Sequence, residues 1–299
     1  MQVSSARWPW CAAGLVAIVA AAVTGCAAGS SSSAGASGSS AQTPANALDA
    51  VKLAAKTAST ANSFTGTMDL RAALKPGAAS TSGSAGAHRM TATFAEQLHP
   101  SLLAGVNIES LSSAGMSLPG GLTEIITPAT LYMKWSFLTQ TLHLTRPWLA
   151  IPVSSISNSS GINLSQIFSQ ATGSGPLTQS QLLQGATSVR QVGTGSIGGV
   201  PVTEYTGTLP LDKGISYLSG SAKTEAQQAI AAAGFSTATF TVWIDGQHTV
   251  RKAVVTEVGK TVTETITTTI TSINQAVNIA LPTAGQTSPL PGGDLSGLS

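Results

Sequence analysis

Few side chains in this 299-residue chain could do chemistry, and their spacing narrows the options further. The four histidines, His88, His99, His143 and His248, lie far apart and form no HxxxH pair, so zinc held by histidine finds no support. His99 before Pro100 and His248 in a turn read as solvated loop residues. Glu96, Glu204, Glu257 and Glu264 each fall in a strand-like run, where alternation is expected to turn them outward on the wet face of a sheet. The sharper reading, an acid/base pair of the glycosidase kind, needs a proximity that the spacing does not supply. Asp245 stands before Gly246, which is turn chemistry. Ser84, Ser174 and Ser196 sit beside glycines but not as GxSxG. There is no P-loop and no GxGxxG after a strand. The expectation is a protein without catalytic residues, metal or cofactor.

The remaining reactive groups are two thiols, Cys11 and Cys26. Cys26 closes the tetrad Val23-Thr24-Gly25-Cys26. Before it come a positive start (Met1 to Arg7) and an apolar or small run (Trp8 to Val23), the anatomy of an export signal. The tetrad resembles the bacterial lipobox. That resemblance implies a diacylglyceryl group on the Cys26 thiol, cleavage that leaves Cys26 as the first mature residue, and an anchor on the outer face of the cell membrane. Each buried CH₂ contributes roughly 0.8 kcal/mol, so two chains hold firmly where one holds reversibly. The alternatives are a plain secretory signal cut near Ala22, or an uncleaved helix. The apolar run is short against the about 20 residues of a span, and a Ser/Gly stretch follows at once. With Cys11 removed in the signal and Cys26 acylated, the mature domain has no disulfide and no thiolate metal site.

Composition points the same way. The hydrophobic share of 42% allows a sizeable core, while only 9% of residues are charged, against about 25% in an average domain. The net charge of +2 gives neither a basic stripe for nucleic acid nor an acidic field. Residues 26–44 are Ser/Gly/Ala-rich and read as a flexible tether after the 1–25 signal. The folded domain is expected over 45–282, and 283–299, broken by prolines and glycines, as a disordered tail.

Within the domain, Ala45 to Thr60 has helical spacing. Phe64 to Leu74 and Arg89 to Leu98 alternate, separated by a Ser/Ala/Gly loop from Pro76 to Ala87. Leu131 and Met133 share one strand face, with Tyr132 and Lys134 on the other. Trp148 to Val153 reads as a short extended run, and Leu164 to Gln184 as weakly helical. Ser188 to Ile197 and Val200 to Leu209 make a hairpin about Gly198-Gly199. Gly214 to Ala233 is expected as a helix, followed by strands Thr237 to Asp245, Val250 to Val258 and Thr261 to Ile273, and a last strand near Ala276 to Ala280. Hairpins imply antiparallel pairing, and the three helical stretches are the material available to cover one face. Trp135, Trp148 and Trp243 in such strands are expected in the core, with a ligand cavity as the functional alternative.

Several segments together resemble the actinobacterial LppX/LprAFG lipoprotein family, similar in shape to the LolA/LolB carriers. They are the lipobox with its tether, Ser63-Phe64-Thr65-Gly66, Leu131-Tyr132-Met133-Lys134, Arg146-Pro147-Trp148-Leu149, Gly199-Val200-Pro201-Val202-Thr203-Glu204-Tyr205, and Val242-Trp243-Ile244-Asp245 leading into Arg251-Lys252. The resemblance implies an α+β fold: a strongly curved antiparallel β-sheet, or half-barrel, with helices over its concave face around an apolar cavity. It implies binding of an acylated lipid or glycolipid, carried or presented at the cell envelope, with a transporter as a possible partner. The expected lining is Leu131, Met133, Leu149, Ile151, Phe240, Val242 and Ile244. The alternative is a non-catalytic structural, sensor or assembly lipoprotein with a packed interior. The loop at 76–87 and the Gly/Ser/Pro-dotted stretch 154–185 depart from the family pattern and bear on the pocket mouth.

Overall fold

A computed structural model describes residues 46–75, 88–113, 116–118, 121–153 and 180–289. Helix α1 (Ala47–Ser59) opens the domain, with the Asn46 side chain accepting from the Asp49 N–H at 2.9 Å as its N-cap. Its Ala50, Val51, Ala54, Ala55 and Ala58 form one buried stripe. The strands are β1 (Ser63–Leu74), β2 (His88–Gln97), β3 (Leu103–Ser113), β4 (Met116–Leu118), β5 (Leu122–Ile126), β6 (Thr130–Lys134), β7 (Trp148–Pro152), β8 (Thr187–Ile197), β9 (Val200–Pro210), β10 (Thr237–Asp245), β11 (Val250–Val258), β12 (Val262–Ile273) and β13 (Thr287–Pro289). Further α-helices among the described residues are α2 (Ser136–Thr141), α3 (Leu211–Ile215) and α4 (Gly220–Ala233), so the single helix expected over 214–233 is two, parted at 216–219. Gly234 ends α4 with φ 68°, the left-handed cap that glycine takes freely.

The strands make one curved, unclosed sheet in the order β13-β7-β6-β5-β3-β2-β1-β12-β11-β10-β9-β8, with β4 beside β3. Every pair is antiparallel except β13 with β7. The fold class expected from the sequence is the one found. One face of this sheet, the inner face, carries three apolar clusters. The first joins Val51, Ala54 and Ala55 of α1 to Phe240, Val242 and Ile244 of β10. The second runs over β1, β2, β3 and β12, with Phe64, Leu70, Phe94 and Ile266. The third holds Ile126, Leu131, Leu149 and Ile151. Period-two alternation puts these residues on one side, which is the main reason the strands form one sheet.

Two aromatic rings lie over inner-face glycines. A Cβ on Gly207 would come within 2.7 Å of Phe240 Cζ, and one on Gly66 within 2.7 Å of Phe94 Cζ. Glycine lets each ring pack against backbone where a side chain would collide.

The C-terminal segment differs from expectation. No strand forms at 276–280. The Asn62 N–H donates to Asn274 Oδ1 at 2.7 Å, and Ser63 Oγ donates to the Gln275 carbonyl at 2.6 Å. Ile279 lies over Gly105, whose direction is opposite to that of inward Ala104 and Val106. The chain therefore crosses the outer face as a strap. Arg146 donates to the carbonyls of Ala284 and Gly285, and β13 then pairs with β7. Residues 283–289, expected in a disordered tail, are an ordered turn and edge strand, because these backbone bonds hold them where composition alone gave no signal.

Candidate functional site

The inner face is where a ligand could sit, and a cleft opens there. It lies between the C-terminal end of α1 and the sheet at β1, β11 and β12, lined chiefly by Ala58, Phe64, Val250, Ala253, Thr268 and Ile270. Ala253 and Thr268 are register partners, so β11 and β12 floor the cleft together. Ser180 and Leu183 close one side. The cleft measures about 90 Å³. Ligand pockets for small molecules usually span about 300–1,000 Å³. At that volume the cleft holds part of an acyl chain and not a whole one.

The seven residues expected as lining lie elsewhere on the same face. Leu131 and Ile151 are register partners, as are Met133 and Leu149, and all four belong to the third cluster. Phe240, Val242 and Ile244 are covered by α1 in the first. The structure does not bring the two groups together, and none of the seven lines the cleft. The β10 residues pack in one cluster with Val51, Ala54 and Ala55 of α1, and those of β6 and β7 pack together in another. The cleft-lining residues of β11 and β12 were legible as inward positions, but nothing local marked them as the uncovered stretch. Cys26 lies outside the described residues.

Trp135, Trp148 and Trp243 also depart from expectation, since each is only half-buried. Trp243 has Lys252 Nζ 4.8 Å from its ring centroid, and Trp148 has Lys134 Nζ at 5.9 Å. These cation–π pairs lie on the outer face.

The inner face carries acids that the sequence reading turned outward. Glu96, Glu257 and Glu264 are 0%, 8% and 5% exposed. Each shares strand parity with buried apolar residues: Glu96 with Phe94 and Ala92, Glu257 with Ala253, Glu264 with Ile266 and Ile270. That parity was the missed signal. Glu204 does face outward, opposite Trp243. Both carboxyl oxygens of Glu96 and Oε1 of Glu264 are buried without a hydrogen-bond partner, as is His88 Nδ1. Burial pushes the carboxyls of Glu96, Glu124 and Glu257 up to about 7. Burial, and then the charge of Glu257, pushes Glu264 up to about 8. Glu257 and Glu264 face one another across β11 and β12. Among the described residues no group of three or more acidic, His or Cys side chains could hold a metal ion.

No family model and no curated protein matches the chain. Solved structures do. The lipoprotein LppX of Mycobacterium tuberculosis is 18% identical with a TM-score of 0.44, over 78% of this chain and 97% of that one. LprF from Mycobacterium bovis is 11% identical with a TM-score of 0.47, over 79% and 96%. These are members of the family that the sequence resembles. A LolA superfamily protein from Nitrosomonas europaea is 11% identical with a TM-score of 0.27, over 79% and 95%.

Proposed function

We propose that the chain is an exported lipoprotein, anchored through acylated Cys26 on the outer face of the cell membrane, that holds an acylated lipid or glycolipid on the inner face of its sheet and carries or presents it at the envelope without catalysis. The observation that carries this reading is the cleft between α1 and the β11–β12 floor, apolar over Ala58, Phe64, Val250, Ala253 and Ile270 and open to solvent. Acyl chains leaving water for such a surface gain roughly 25 cal/mol per Å² of apolar area removed. The cleft admits part of a chain, and the apolar inner face of the open sheet continues from it on both sides.

The test is titration of a fluorescent fatty acid against the full chain and against Ala253→Trp, which fills the cleft. Saturable binding abolished by the substitution supports the reading; binding unchanged by it contradicts the site. A second reading, a structural or assembly lipoprotein with a packed interior, is favoured by the small enclosed volume and the close packing of the three clusters. It predicts no saturable binding at all.

A further inference from the structure

Glu96 is the most completely buried ionisable side chain among the described residues, and nothing accepts or donates a bond at either of its oxygens. Its register partners are Phe64 on β1, a residue of the cleft, and Ala104 on β3. Leaving a buried polar group unsatisfied costs about 1–3 kcal/mol, more when it is charged. A group maintained at that cost, beside a cleft, is a candidate for a bond made only when a ligand is present.

The sign of the surroundings restricts that ligand. The buried polar residues described are Ser63, His88, Glu96, Ser180, Asp245, Glu257, Glu264, Thr268 and Ser288, with no lysine or arginine among them. Asp245 is held by Arg251 at 2.7 Å, and no buried lysine or arginine is left for the inward acids. On the inner face, β5 contributes Glu124, β12 and β11 contribute Glu264 and Glu257, and β2 itself contributes His88. Next to Glu96, β1 and β3 offer only Phe64, Ala104 and Val106. A phosphate or sulfate headgroup brought to Glu96 would meet a carboxyl and no buried lysine or arginine. A primary ammonium would bring the donors that the two orphan oxygens lack, in charge-assisted bonds about twice as strong as neutral ones.

We propose that Glu96 is a ligand-binding group that accepts from an ammonium, so that this inner face takes amine-bearing amphiphiles and rejects anionic ones. The inference rests on the lipid-binding reading above and adds the headgroup class. Because burial holds the Glu96 carboxyl near 7, a proton competes with the amine, and amine binding strengthens between about pH 6 and pH 8.

The experiment is calorimetric titration of the full chain with decylamine, decyl sulfate and decyl maltoside, each below its micellar concentration, at both pH values, with Glu96→Gln and Ala253→Trp in parallel. The expected result is decylamine binding about tenfold tighter than decyl sulfate at pH 8, with that preference lost in Glu96→Gln and decyl maltoside binding unchanged. Equal affinity for amine and sulfate, or a preference that survives Glu96→Gln, overturns the proposal while leaving lipid binding at the cleft intact. If Glu96→Gln does not fold, the amine-to-sulfate ratio of the unmodified chain and its rise with pH decide the matter. Failure of all three amphiphiles to bind removes the underlying reading as well.

Discussion

Glu257 on β11 and Glu264 on β12 are register partners, and both side chains are buried on the inner face of the sheet. Cross-strand neighbours have Cβ atoms about 4.5–5.5 Å apart, so two ionised carboxyls here repel. Burial of both carboxyls, and for Glu264 also the charge of Glu257, makes folding favour their protonated forms. The folded values of about 7 and about 8 lie above the ordinary 4.5. The sign follows: the stability they contribute is full below about pH 4.5 and is lost as pH rises through 8. Thermal unfolding measured from pH 5 to pH 8 should show a falling midpoint. Glu264→Gln, neutral and of the same shape, should flatten that fall and stabilise the protein at pH 8 by about 2 kcal/mol. A midpoint independent of pH, or a variant less stable at pH 8, would contradict the arrangement.

Gly207 and Phe240 make the second prediction. Gly207→Ala places a methyl within 2.7 Å of the Phe240 ring, which is 2% exposed and packed under α1. The ring cannot retreat without moving the first cluster. Overpacking of this kind costs about 1–3 kcal/mol, read as a lower urea midpoint with an unchanged slope. An unaltered midpoint would mean that the ring moves freely.

The C-terminal half of the sheet was largely legible in the sequence. β10 and β11 run over the residues that alternation indicated, and the turn between them is held as Asp-Gly chemistry suggests, with Asp245 Oδ1 accepting from the Gln247 and Thr249 N–H groups at 2.9 Å. β3 was missed for a physical reason. Thr91 pairs with Ser110 but Ala92 with Ile108, which leaves Glu109 as an extra residue bulged out of β3, so its inward residues run Ala104, Val106, Ile108 and then Leu111, breaking period two. β13 carries three residues ending in proline and pairs in parallel at an edge, where no pattern can accumulate. For the inward acids polarity and parity point to opposite faces, and parity prevails: in Val262–Ile273 the spacing aligns Glu264 with Ile266 and Ile270. The cleft is a property of which inward residues α1 leaves uncovered, and that is decided by tertiary packing.

Cys26 supplies the third prediction. Its acylation would place the chain in the membrane fraction of its host and allow incorporation of labelled palmitate. Cys26→Ser should release the protein to the soluble exported fraction and abolish labelling. Labelling that persists in Cys26→Ser would contradict the anchor.

The central claim is that something fatty completes the inner face. Native mass spectrometry of the chain purified from its own host, with Cys26→Ser removing the anchor, tests it most directly. The account predicts a stoichiometric adduct that releases an acylated lipid on activation and is absent from Ala253→Trp. A bare protein mass for the unfilled cleft, with no lipid recovered on extraction, would contradict it.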